Sequence, residues 1–183
     1  MNNASNYPAP EWTVDQWFNS AEPLSLAALK GQVIVLGAFQ MLCPGCVSHG
    51  LPQLKKAARL FQKTDVAIIG LHTVFEHHDA MTPVSLAAFL HEYRIDFPVG
   101  VDRAGDNGNP MPQTMSAYAM RGTPTTILID RAGLVRRHYF GQVDDLQLGA
   151  DISALLTSRD QEMQSAPEPG AFKTGCYDDG CAV

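Results

Sequence analysis

Short apolar strands alternating with amphipathic helices, closed by a hairpin and a last helix, predict an α/β fold in which helices cover a mixed sheet. Two runs carry that reading, VIVLGAF at Val33 to Phe39 and VAIIGL at Val66 to Leu71. Both are apolar, β-branched and too short for typical helices, which suits strands buried on both faces. The third observation lies between them: Leu51, Leu54, Ala58 and Phe61 recur at helical spacing while Gln53, Lys55, Lys56 and Arg59 face elsewhere.

The remaining elements follow in chain order. The helix after the first run extends to about Gln62, and Pro52 is expected to bend it, because an interior proline removes a hydrogen bond and crowds the preceding turn. Pro83 stands at a first helical position ahead of SLAAFLHEYR. A short strand is predicted at Phe97 to Val101, then the loop DRAGDNGNP and a short helix from about Gln113 to Ala119. TTILID, the turn Arg131-Ala132-Gly133 and LVRRHYF read as an antiparallel hairpin. The last helix spans roughly Asp144 to Thr157, with an aspartate near its start. Residues 1–9 read as an extension and 10–157 as the domain. From 158 to 183 a polar stretch broken by Pro and Gly reads as a mobile tail.

With 183 residues, 45% hydrophobic and 17% charged, the chain has the profile of one globular domain. A formal charge of −6 argues against nucleic acid or an anionic membrane surface as partner. The start, MNNASNYPAPEWTVDQWFN, has neither a basic leader nor an uninterrupted apolar stretch, so a cytoplasmic location is expected.

The four cysteines form two local pairs, Cys43 with Cys46 and Cys176 with Cys181. In a reducing compartment such pairs serve catalysis, redox sensing or metal binding more often than stapling. If Cys43 caps the helix, Pro44 is its first residue, where a missing amide hydrogen costs nothing, and Cys46 its third. A sulfur at the cap accepts from the Cys46 amide and sits at the positive end of the helix dipole, and both favour the thiolate. Cys46, one helical step inward, is close enough to close a ring yet shielded by its own helix. Attack on a partner disulfide therefore belongs to Cys43 and resolution to Cys46. Zinc normally takes four ligands, and the second pair, CYDDGC, has four intervening residues, so neither a metal nor a cofactor is implied.

FQMLCPGC after a buried strand, followed at a distance by RGTPTTILIDRAGLVRRHYFG, resembles the thioredoxin-like superfamily and, within it, thiol-disulfide reductases of the TlpA and ResA kind. The resemblance covers about Pro10 to Leu156. It implies a thioredoxin-like fold with an inserted helix, a disulfide-containing protein or small-molecule substrate, and an electron-donating reductase. It also implies a cis bond at Thr123-Pro124 beside Cys43, with Pro44, Gly45, Thr123 and Pro124 meeting an extended substrate. Leu42 replaces the aromatic residue usual before the first cysteine, and Gly37 replaces the buried acid of thioredoxins. His49 stands where ResA-like proteins carry a glutamate. An imidazole there is expected to take the proton from Cys46 when it resolves the mixed disulfide.

Other polar groups have plainer readings. Glu76 to Asp79, EHHD, places four potential ligands side by side, where they converge poorly on one ion. His72, His91 and His138 are assigned no role. Arg121, just before the GTP turn, has the charge to attract an acidic substrate segment. The tail pair Cys176 and Cys181 follows about 18 residues of chain with a coil reach of roughly 25 Å, which would allow exchange with the CPGC pair.

The leading function is thiol-disulfide exchange. A thiol peroxidase would use the same sulfurs, but the pattern P-x-x-x-T-x-x-C finds Leu36 and Gln40 at its Pro and Thr positions. A metal-binding chaperone on the same fold would usually separate its cysteines by three residues.

Overall fold

A computed structural model describes residues 4–164 apart from Asn107. In chain order the strands are β1 (Ala4–Pro8), β2 (Val14–Phe18), β3 (Val33–Phe39), β4 (Val66–His72), β5 (Val99–Asp102), β6 (Thr125–Ile129) and β7 (Leu134–Phe140). The helices are α1 (Leu51–Phe61), α2 (Pro83–Glu92), α3 (Gln113–Ala117) and α4 (Asp145–Gln164), and a π-helical turn at Cys46–Gly50 leads into α1.

The seven strands form one sheet in the order β1-β7-β6-β3-β4-β5-β2. All of β3 is buried, as its unbroken apolar run requires. It pairs in parallel with β4 and antiparallel with β6, so the carboxyl end of β3 and the amino end of β6 lie side by side. That mixed pairing brings the CPGC segment beside the Gly122 to Pro124 loop.

Alternation along β3 feeds two cores. Val35 and Phe39 face α1, α2 and α4 through Leu54, Leu86, Leu148 and Ile152. Ile34, Leu36 and Ala38 face Trp12, Met115 and Tyr118 on the opposite side. Gly37 is where α1 meets the sheet: a Cβ there would lie 2.3 Å from Leu54 Cδ1. Leu54 fills the space beside Gly37.

Three segments differ from the sequence reading. Residues 4–8, read as an extension ahead of the domain, pair with β7 and close one edge of the sheet. The β2 segment, given no element by the sequence reading, pairs with β5 at the other edge. Edge strands bury little and so carry no apolar signature. The last helix continues past Thr157 to Gln164, because nothing in SRDQEMQ stops a helix. The tail cysteines Cys176 and Cys181 lie outside the described residues. Among those residues no helix is long and apolar enough to cross a membrane.

Candidate active site

The helix that carries the dithiol begins at Pro44, directly after Cys43. Val47 N–H donates to the Cys43 carbonyl at 3.1 Å, which makes Cys43 the capping residue. Its side chain completes the cap: Cys46 N–H donates to Cys43 Sγ at 3.2 Å. Cys43 is partly exposed and Cys46 fully buried, and both are free thiols. The sequence-derived placement of both sulfurs is thus the observed one.

Burial is also the main force on the Cys46 proton. Removal from water pushes this thiol up to about 12, and its hydrogen bond with Cys43 adds to the rise. At neutral pH Cys46 therefore holds its proton while Cys43 meets solvent.

From the β6 side, Cys43 Sγ lies 3.6 Å from the Thr123 carbonyl oxygen, across 80 residues of sequence. The Thr123-Pro124 peptide is cis. Pro124 packs on the dithiol turn at two glycines: a Cβ on Gly45 would meet its Cδ at 3.4 Å and a Cβ on Gly50 would meet its Cβ at 3.1 Å. Gly50 is a contact that sequence reasoning missed, because only its spatial neighbour distinguishes it from any other helical glycine.

Pro52 has an unexpected effect. Lacking an N–H, it cannot close the ordinary α-turn, and the preceding residues widen into the π-turn, with Leu51 N–H reaching back to the Cys46 carbonyl. Residues three apart are neighbours on an α-helix, but the wider turn breaks that relation. His49, expected beside Cys46, is exposed and lines a surface recess of about 240 Å³ with Ser48, Gln53, Gln142 and Asp145. Among the described residues no hydrogen bond joins it to either thiol.

Two buried polar groups lie below the site, Gln40, which the sequence reading passed over, and His72, to which it gave no role. Gln40 accepts from Phe75 N–H and donates to Glu76 Oε1, each at 3.3 Å, and its carbonyl accepts from Cys43 N–H. It ties the turn before the dithiol to the loop after β4. His72, at the end of β4 and paired in register with Phe39, has no hydrogen-bond partner on either ring nitrogen. Burial pulls it down to about 4 and keeps it neutral. Glu76 to Asp79 do not converge: among the described residues, no three His, Cys, Asp or Glu side chains form a group fit for a metal.

This arrangement can hold a reactive sulfur at the surface, close a disulfide to an inner one, and present a backbone carbonyl beside the first. The model of the AhpC/TSA family matches residues 6–138. The chain is 62% identical to a thioredoxin-like superfamily protein of known crystal structure, with a TM-score of 0.79, over 82% of this chain and 96% of that one. It is 49% identical to a thiol-disulfide isomerase from Corynebacterium glutamicum, with a TM-score of 0.78, over 85% and 97% of the two chains. It is also 28% identical over 127 residues to the thiol-disulfide oxidoreductase ResA of Halalkalibacterium halodurans. That match takes in 68% of this chain and 64% of ResA, less than two thirds of the relative's length. The chain belongs to the AhpC/TSA family and carries the thioredoxin-like fold.

Proposed function

We propose that the protein is a thiol-disulfide oxidoreductase in which Cys43 is the nucleophile and Cys46 the resolving thiol. One observation carries the assignment: the Cys46 amide donates to Cys43 Sγ while the Cys46 sulfur is fully buried, so one sulfur is held in place where substrate arrives and the other is withheld. Cys43 attacks a substrate disulfide and forms a mixed disulfide, releasing the first substrate thiolate. Cys46 then attacks Cys43 Sγ, and its proton passes to the second departing sulfur. The products are a Cys43–Cys46 disulfide and a reduced substrate.

The Thr123 backbone, beside Cys43, offers an extended substrate its hydrogen-bonding edge, and Gly45 leaves room for that approach. His49 takes no part in this sequence, since it faces a separate recess. In a cytoplasmic setting the exchange runs toward substrate reduction, and a dithiol-supplying reductase restores the pair.

The test is dithiothreitol-driven reduction of insulin disulfides measured beside hydrogen peroxide consumption. Insulin reduction well above the uncatalysed rate, with peroxide turnover at background, is the expected result. The opposite ratio would assign the chain to peroxide chemistry.

A further inference from the structure

Beside the reactive sulfur lies a surface that disulfide chemistry alone does not require. Leu42, next to Cys43, is 57% exposed, and Phe140 is 48% exposed. The Phe140 ring packs on Gly122, where a Cβ would come within 3.1 Å of it, and so borders the Thr123 backbone. The Arg121 guanidinium stacks over this ring at 4.9 Å from its centroid. Arg121 is exposed, and among the described residues no carboxylate forms an ion pair with it. Two exposed apolar side chains and a cation without an ion pair among the described residues thus lie on Cys43's neighbour and on the loop that meets Cys43, in a protein whose net charge is −6.

The chain supplies a segment of complementary chemistry. Cys176-Tyr177-Asp178-Asp179-Gly180-Cys181 sets an aromatic ring and two carboxylates between two cysteines. We infer that the Cys176–Cys181 disulfide of one copy is a substrate for the Cys43–Cys46 dithiol of a second copy, with Tyr177 against Leu42 and Phe140 and the aspartates against Arg121. This inference rests on the roles proposed above for Cys43 and Cys46.

Chain length favours a second copy over the same chain, which would have to be drawn nearly straight. Helix α4 starts against α1, with Asp145 bonded to Gln53 and Lys56, and runs away from the site. Near its far end Leu155 and Ser158 line a recess with Lys30, Gly31 and Arg131, at the foot of the sheet. The seven residues of β3 span about 23 Å, and the six helical steps from Ser158 to Gln164 add about 9 Å. Gln164 is then on the order of 35 Å from Cys43. Cys176 is twelve residues further on, a length that averages about 20 Å as a coil and reaches about 40 Å only when drawn straight. The reach expected from sequence alone began at Ser158 and took no account of where α4 points.

The exchange balances without another reductant. Cys43 attacks one tail sulfur, forming an intermolecular S–S bond and breaking the tail disulfide. Cys46 attacks Cys43, forms the internal disulfide and releases the tail as a dithiol. Two electrons and two protons pass from one pair to the other.

The experiment mixes two full-length proteins. One carries Cys46→Ser, Cys176→Ser and Cys181→Ser, so that only Cys43 remains. The other carries Cys43→Ser and Cys46→Ser, with its tail pair oxidised by diamide. The expected product is a disulfide-linked dimer that peptide mapping assigns to Cys43 and a tail cysteine. Replacing Asp178 and Asp179 by Asn in the second protein should slow its formation roughly tenfold. An equal rate would remove Arg121 from the docking. If Cys43 of the first protein is trapped by insulin disulfides but not by the tail, this inference alone falls. If it is trapped by neither, the nucleophile assignment falls too. A Cys46→Ser protein with an oxidised tail, incubated alone, should give linked dimers at a rate that rises with concentration; cross-links within one chain would overturn the two-copy geometry.

Discussion

Two helix starts in this molecule are built alike and do different things. Thr82-Pro83-Val84-Ser85 opens α2, and Cys43-Pro44-Gly45-Cys46 opens the dithiol helix. In each, a proline occupies the first helical position and the residue before it caps the amide three residues on. Thr82 Oγ1 accepts from Ser85 N–H at 3.3 Å and Cys43 Sγ accepts from Cys46 N–H at 3.2 Å. The capping side chains even touch their partners alike, with Thr82 Oγ1 3.1 Å from Ser85 Oγ. The same cap on a hydroxyl is inert, so capping by itself does not make a nucleophile. Reactivity comes from sulfur, which ionises where a hydroxyl does not, and from what covers the turn. Val84, between cap and partner in α2, is 81% exposed. Gly45, its counterpart, lies under Pro124.

The largest expected effect comes from erasing the chemical half of this difference. Cys43→Ser keeps an N-capping side chain and should abolish insulin reduction while shifting Tm by no more than about 4 °C. Retained turnover would mean that the capping sulfur is not the nucleophile. The second test concerns burial. With Cys46 held at about 12, its labelling by iodoacetamide should rise about a hundredfold between pH 7 and pH 9. It should show no plateau near pH 8.5, where an unburied cysteine levels off. The same proton affects stability. The folded thiol keeps it above the pH at which the unfolded one has lost it, so this contribution is full below about 9 and falls as pH rises toward about 12. Denaturant midpoints across that window measure the loss.

Smaller effects separate seating from capping. Gly37→Val forces a side chain against Leu54 and should cost about 1–3 kcal/mol in urea unfolding. Thr82→Ala removes the inert cap and should cost about 1 kcal/mol while insulin reduction stays at the wild-type rate. A loss of activity in that variant would show that the two helix starts are not independent.

What the sequence disclosed follows the same division. The dithiol cap was legible because it is local: proline, two sulfurs and a preceding apolar strand determine it within fifteen residues. The central strands β3 and β4 were legible because burial on both faces leaves an unbroken apolar run, and β7 because the turn at Arg131 to Gly133 pairs it with β6. The edge strands β1 and β2 were not, since half-exposed pairing leaves polar residues free to vary. His49 was misplaced because its reading counted in α-helical steps, and the extra residue in the turn before Pro52 changes the count. Gly50, Gln40 and Phe140 were invisible for a different reason. Each matters through a neighbour far away in sequence, and a glycine or phenylalanine alone does not announce which neighbour that is.

The closeness of Thr123 to Cys43 has a consequence beyond catalysis. The two sulfurs are separated by two residues in any conformation of the chain, so an unfolded molecule can still close its ring. The carbonyl next to the outer sulfur comes from 80 residues away and arrives only when β3 and β6 pair. Ring closure is thus indifferent to the native state, while the backbone beside the outer sulfur depends on it. A newly made chain would become oxidisable before that second wall of the site was in place.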